Sequence, residues 1–276
     1  MQERFFSIIV VALNPGRKLR DTLKSVLEQT FTDYEIIIKD GGSTDGSPED
    51  LRKDGFFERY PQIRMIQKED RGIYDGMNQA LAYAHGRFVQ FLNCGDLLYG
   101  KDVLWQIAEA IEEEEKTEEC TPCIYYGDQY HLQQRTGVAS PPVINDFTCY
   151  RNVPCHQICF YDRRLFGKRG YDLRYRVRAD YEHFLYSIYE EKARGKHLGI
   201  TVVSYEGGGF SETVQNRRKS AAEHKEITLR YLGKKKVRKY RAVMWLTLAP
   251  LRTRIAENPH LAGLYQRLKK LVYKRH

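Results

Sequence analysis

The sequence predicts an α/β fold, a mixed and mostly parallel sheet with helices on both faces. Three observations carry that expectation. In the first hundred residues, short apolar runs alternate with stretches of helical spacing, in the order βαβαβαβ. The runs are close to continuously apolar rather than alternating, as in strands buried on both faces. They give way to loops that carry Asn, Asp and Gly, residues suited to turns. With 276 residues and 42% apolar content, the chain can build one large domain, or one domain with an extension.

Residues 5–12 (FFSIIVVA) are rich in β-branched side chains and read as a central strand, ended by Asn14, Pro15 and Gly16. Residues 19–29 follow as a helix with Leu19, Leu23, Val26 and Leu27 on one face. Residues 35–39 (EIIIK) are the second strand, and residues 40–47 (DGGSTDGS) a turn. Ser47 followed by Pro48, Glu49 and Asp50 predicts a helix start with Pro at N1, its first helical position. Residues 63–67 make a third strand, and a loop runs over 70–75. A helix over 73–84 buries Ile73, Met77, Ala80, Leu81 and Ala84. Residues 88–92 (FVQFL) are the fourth strand. Beyond it the pattern predicts a helix over 101–116, a loop over 118–122 and a strand over 124–131. Residues 135–160, with Pro141, Pro142 and Pro154, read as irregular. A helix over 179–192, a strand over 200–205 and a helix over 216–232 complete the domain.

Charge is unevenly placed. The formal net charge is +9, but residues 233–276 alone hold 13 Lys or Arg against one acid, Glu257. The remainder is slightly acidic, so a near-neutral domain (1–232) precedes a basic extension (233–276). No run of 18 apolar residues exists, so no membrane-spanning helix is expected. The N-terminus lacks a signal-peptide pattern, which makes a cytoplasmic protein the default expectation. The six cysteines do not form a secreted disulfide framework. Cys120 and Cys123, with Cys149, Cys155 and His156, allow a zinc site to be imagined, but the spacing is irregular and reduced thiols are expected.

The stretch 88–96 (FVQFLNCGD) focuses the chemistry. Asp96 follows the end of a buried strand, where open α/β sheets place their ligands. There it would be a hard oxygen ligand for Mg²⁺ or Mn²⁺ carrying phosphate; the plainer alternative is a polar turn. Four loops can meet at one end of the sheet: Asn14, 40–45, 70–78 and 93–96. That arrangement makes a nucleotide crevice, with neither GxGxxG nor a Walker loop present.

In order, SIIVVALN, DYEIIIKDGGSTDGS, EDRGIYDGMNQALAYAHG and FVQFLNCGD resemble the nucleotide-binding half of family 2 glycosyltransferases, and more narrowly bacterial exopolysaccharide and colanic-acid type transferases. The resemblance runs from about residue 5 to about 210 and implies the GT-A (Rossmann-like) fold. Residues 1–100 would bind the nucleotide and 101–232 the acceptor. It implies that Asp40 accepts the uracil N–H of a UDP-sugar and that Asn14 lines base and ribose. Asp70, Arg71 and Asp75 would form the loop under the nucleotide, with Arg71 near phosphate. Asn93 to Asp96 occupies the family's DxD position, where Asn93 and Gly95 stand in for acids. Asp96 is thus left as the charged ligand for a divalent cation, Mn²⁺ or Mg²⁺.

The same resemblance places a general base at Asp180, in the RADYE segment at a helix start, with Glu182 as fallback. His156 and Gln157 fall in the acceptor or sugar pocket, and Ser211, after Gly207-Gly208-Gly209, near phosphate. Together they imply an inverting glycosyltransferase in cell-surface polysaccharide biosynthesis. It would move sugar from a nucleotide-diphosphate donor, expected to be a UDP-sugar, to a hydroxyl of a saccharide acceptor, expected to be lipid-linked. Residues 243–251 are too few to span a bilayer. Flanked by cations and holding Trp245, they suit the inner membrane surface; a helix packed on the domain with a solvated basic face is the plainer alternative. The competing class is a catalytically degenerate nucleotide- or nucleic-acid-binding protein acting through the basic tail. Charge confined to that tail and the absence of nucleic-acid motifs speak against it, so no nucleic-acid partner is expected. A nucleotidyltransferase would need a basic, glycine-rich first loop that residues 12–17 (ALNPGR) do not provide.

Overall fold

The computed structural model describes residues 3–116, 121–207 and 214–247. Strand β1 (Arg4–Ala12) pairs in parallel with β2 (Tyr34–Asp40) on one side and β4 (Gly86–Asn93) on the other, and β2 pairs in parallel with β3 (Ile63–Gln67). Phe6, Ile8, Ile9 and Val10 are fully buried, which explains the uninterrupted apolar run of a strand covered on both faces. The crossovers are amphipathic. Helix α1 (Arg17–Leu27) buries Leu19, Thr22, Leu23 and Val26. The short helices α2 (Ser47–Lys53) and α3 (Phe56–Arg59) lead into β3. Helix α4 (Ile73–Leu81) buries Tyr74, Gly76, Met77 and Ala80. Pro48 stands in the first turn of α2, as expected.

After the short strand β5 (Leu97–Leu98), helix α5 (Val103–Glu115) leads towards β6 (Cys123–His131) and its hairpin partner β7 (Thr136–Val138). Residues 135–160 are more ordered than their sequence suggests. Helix α6 (Asp146–Arg151) starts on a reciprocal cap, Asn145 accepting from the Thr148 backbone and Thr148 Oγ1 accepting from that of Asn145. Strand β8 (Cys159–Asp162) lies antiparallel between β4 and β6. Four residues with cysteine and aspartate at the ends give too short a pattern to be seen from periodicity. Helix α7 (Ala179–Tyr189) precedes β9 (Arg194–Tyr205), which starts six residues earlier than predicted because its first half pairs with β6 through polar residues. The sheet order is β3-β2-β1-β4-β8-β6-β9-β5, with β7 off β6. Antiparallel β8 reverses direction between two parallel groups. The ends of β1, β2, β4, β6 and β9 and the start of β8 therefore share one edge, called here the carboxyl edge.

Helix α8 (Val214–Leu246) is broken at Gly233, whose φ of 75° lies outside the helical range. Beyond the break the described part of the basic extension packs on α6. Val237 is buried, Lys236 meets Asp146 at 2.6 Å, and the Tyr240 ring lies 5.5 Å from that of Phe147. Trp245 and Leu246 are exposed. Among the described residues no helix is long and apolar enough to cross a membrane. Residues 248–276, the greater part of the extension, lie outside the described residues.

Candidate active site

The first half of the carboxyl edge is tied together by its own turns. Register sets Ala12 beside Asp40 and Val11 beside Asn93. Asn14, at a left-handed φ of 48°, accepts the Thr44 N–H at 2.8 Å, and its own N–H donates to Ser43 Oγ at 2.8 Å. Asp40 is buried and accepts from Ser43 N–H and Oγ–H and, at 3.2 Å, from Gln67 Nε2. Beside it the buried Lys39 donates to Asp70 Oδ2 at 2.8 Å and to the carbonyls of Asp40 and Lys68. A Cβ on Gly41 would lie 2.8 Å from Asp70 Oδ2, so glycine there lets the loop approach the ion pair. Asp75 accepts the Arg71 N–H at 2.9 Å and Arg71 Nε at 3.3 Å; the backbone bond foremost holds its carboxyl below the usual range. The Arg71 side chain is 80% exposed.

The second half is assembled from distant segments. Because β8 runs antiparallel to β4, its start lies level with the end of β4. His156 and Gln157 thus come to Asn93 and Asp96. Gln157 Nε2 donates to Asp96 Oδ2 at 3.2 Å, and the Glu206 N–H donates to Asp96 Oδ1 at 3.2 Å. Asp96 is 4% exposed, and burial pushes its carboxyl up to about 6 despite those two bonds. His156 Nδ1 stands 2.9 Å from Asp180 Oδ2, and its Nε2 3.2 Å from Asn93 Nδ2. Tyr74 OH donates to Asp180 Oδ1 at 2.8 Å. Burial opposes ionisation of Asp180, but the His156 contacts and the Tyr74 hydroxyl outweigh it and hold the carboxyl below the usual range.

Most of the sequence-predicted residues therefore meet at one edge: Asn14, Asp40, Asp70, Arg71, Asp75, Asn93, Asp96, His156, Gln157 and Asp180. Glu182 does not. It is fully buried behind the edge, where Arg169 grips it at 2.9–3.0 Å and Tyr231 OH donates to it, an arrangement that ties α7 to α8. Two residues along α7 from Asp180 the side chain points to the core, and the alternation of acids at a helix start conceals that difference. Ser211 lies outside the described residues. Three contributors go unnoticed in the sequence: Tyr74, Lys39 and Glu206. Tyr74 had a signal, since it stands between Ile73 and Asp75 in the loop already singled out. Lys39 and Glu206 had none beyond standing at strand ends.

A cleft of about 630 Å³ opens beside this edge, lined among others by Leu13, Asp70, Tyr74, Arg174, Arg176 and Lys219. Arg71, Arg174, Arg176 and Lys219 are exposed, so its rim is cationic and suited to an anionic ligand. Asp96 suits a cation: it is a buried carboxylate whose two hydrogen bonds come from neutral amides, which leaves its charge uncompensated. Among the described residues no group of three or more His, Cys, Asp or Glu side chains is arranged to hold a metal. A cation here would depend on ligands brought by the substrate. Burial pushes the Cys94 and Cys155 thiols up to about 12, which keeps them protonated.

Residues 7–172 match the sequence profile of glycosyl transferase family 2. A PGL/p-HBAD biosynthesis glycosyltransferase of Mycobacterium tuberculosis is 34% identical over 221 residues, covering 79% of this chain and 83% of that protein. Among solved structures, Staphylococcus aureus TarS in complex with UDP-GlcNAc superposes with a TM-score of 0.61 at 18% identity, covering 83% of this chain and 71% of that one. This chain spans 60% of the length of another TarS structure that it matches. The mannosyltransferase PcManGT of Pyrobaculum calidifontis, in complex with GDP-Man and Mn²⁺, superposes with a TM-score of 0.57 at 16% identity, covering 99% of this chain and 85% of that one. At such identities the structural matches speak to the fold.

Proposed function

The chain belongs to glycosyl transferase family 2 and is a glycosyltransferase with the GT-A fold; from that premise we propose that it inverts the sugar of a UDP-linked donor onto a saccharide hydroxyl. The observation that carries this reading is the shared edge. It holds Asp40 and Asp96 from the first half and, through the reversed strand β8, the His156–Asp180 pair from the second. In this reading the cationic cleft takes the donor, with Asn14, Asp70, Arg71 and Asp75 around the nucleotide. Asp40 takes the uracil N–H, which must replace one of its present donors, Ser43 or Gln67. Asp180 takes the proton of the acceptor hydroxyl. The acceptor oxygen then forms its bond to the anomeric carbon as the bond to the diphosphate breaks on the opposite face. A divalent cation would be held by Asp96, donor phosphates and water, and would supply charge stabilisation to the leaving diphosphate. UDP rather than GDP is supported by the Asp40 carboxylate and by the UDP-GlcNAc complex of TarS; the GDP-Man complex of PcManGT is the counter-example to test.

The acceptor in this reading is lipid-linked, on a route to a cell-surface polysaccharide, and the enzyme works peripherally at the cytosolic face of the membrane. The basic extension supports that placement, with six Lys or Arg between residues 234 and 241 and exposed Trp245 and Leu246 after them. Calorimetric titration with UDP, GDP and their sugars, in Mn²⁺ and then in EDTA, tests the donor reading on wild type and Asp96→Ala. Metal-dependent UDP binding that the substitution abolishes supports it. Absence of binding by any nucleotide to the folded protein overturns it.

A further inference from the structure

We propose that His156 is a positioning residue for Asp180, donating from Nδ1–H to its carboxylate while Asn93 holds the ring from the other side. The inference rests on the reading of Asp180 as the base. His156 is 8% exposed and both ring nitrogens are engaged: Nδ1 at 2.9 Å from Asp180 Oδ2, Nε2 at 3.2 Å from Asn93 Nδ2. The Asp180 carboxylate can only accept, so Nδ1 carries a proton and donates to it. The Asn93 amide meets Nε2 on the other side of the ring, its nitrogen at 3.2 Å and its oxygen at 3.5 Å, and holds the imidazole against the carboxylate from there.

Two fixed donors hold the base, His156 on Oδ2 and Tyr74 on Oδ1. They come from the short helical turn (His156–Ile158) that leads into β8 and from α4, so the rotamer of Asp180 is set by both halves of the domain. The Asp180 side chain remains 23% exposed, which leaves room for an acceptor hydroxyl. In the transfer step the acceptor O–H bond breaks and its proton stays on Asp180. His156 does not receive it, because Nδ1 already carries a proton and Nε2 is occupied by Asn93.

Two measurements test this. Long-range proton–nitrogen spectra of histidine-labelled protein should show a ring with Nδ1 protonated that is absent in His156→Asn. Kinetics of UDP release from UDP-GlcNAc, UDP-glucose and UDP-galactose give the second. His156→Ala should lower kcat by about 100-fold with the donor KM nearly unchanged. His156→Asn, whose amide nitrogen falls near the place of Nδ1, should recover most of that loss, whereas His156→Gln should not. A His156 ring that carries its proton on Nε2 alone in the wild type overturns the proposal. So does a His156→Ala effect confined to KM, or a His156→Asn variant of normal melting temperature no faster than His156→Ala. Wild type that binds no UDP-sugar by calorimetry would sink the donor reading itself, and with it the role in transfer; the ring spectra would still decide the tautomer.

Discussion

The two halves of the carboxyl edge hold their carboxylates in opposite ways. In the half made by β1, β2 and β3, Asp40, Asp70 and Asp75 are each satisfied within their own loop or the one beside it: Asp40 by Ser43 and Gln67, Asp70 by Lys39 and the Gly72 N–H, Asp75 by Arg71. In the half made by β4, β8 and α7, Asp96 and Asp180 depend on partners 61 and 24 residues away in sequence, Gln157 and His156. The first half is a finished scaffold that a ligand must enter by displacement. The second leaves one carboxylate short of positive charge and the other held by neutral or shared donors, as a reactive edge requires.

If that contrast is right, the largest loss should come from the reactive half. Asp180→Asn should slow UDP release from a UDP-sugar by about 10³-fold, because the amide has no basic oxygen to take the acceptor proton. UDP affinity by calorimetry should be unchanged, since in the proposed reading Asp180 serves the acceptor and not the donor. Equal losses in affinity and rate would show that the two halves are not separable in this way.

The next effect belongs to the scaffold and concerns stability. Lys39→Met removes a fully buried cation and strands Asp70, which is 10% exposed, together with two carbonyls. Breaking one partner of a buried pair costs about 3 kcal/mol. The midpoint of urea unfolding should fall accordingly, and an unchanged midpoint would mean that Lys39 is not carrying the loop. Asp96→Asn should act with the opposite sign. The folded protein holds the Asp96 proton more tightly than the unfolded chain, since burial raises the carboxyl to about 6. Its stability is therefore fullest below about pH 4 and is lost as pH rises through 6. Asparagine should restore about 3 kcal/mol at pH 7 and little at pH 4, while abolishing any metal-dependent nucleotide binding.

The same contrast explains what the sequence discloses. The parallel half is local: each apolar run, its turn and the helix after it lie within about forty residues, and the turn residues Asn14, Asp40 and Asp70 show their place at once. The other half depends on β8, four residues that pair with both β4 and β6. Nothing in CFYD marks a strand that reverses the sheet, and without it His156 cannot be set beside Asn93. Glu182 illustrates the converse. Its residue type and position beside Asp180 suggest chemistry, yet it lies on the other side of α7, because two residues along a helix turn the side chain by more than half a circle.

The smallest expected effect lies behind the edge and tests whether the core itself is tuned. His183 is fully buried among aromatic rings, stacked 4.2 Å from Phe166 and packed against Tyr171. Neither of its ring nitrogens has a hydrogen-bond partner among the described residues. Burial, reinforced by the charge of Arg169, pushes the imidazole down to about 3. In acid the unfolded chain therefore takes up a proton that the folded protein refuses, so stability present above about pH 6.5 is lost as pH falls towards 3. His183→Phe keeps the stacking and removes both unpartnered nitrogens, each of which carries a desolvation cost. It should stabilise the protein by about 1 kcal/mol at pH 7, and by more at pH 5, where the histidine penalty has begun to grow. The pH dependence separates this from simple repacking, which would shift stability equally at both pH values. A variant that is destabilised throughout would mean that the imidazole nitrogens hold the cluster in register, and that this half of the core is specified by polarity as its edge is.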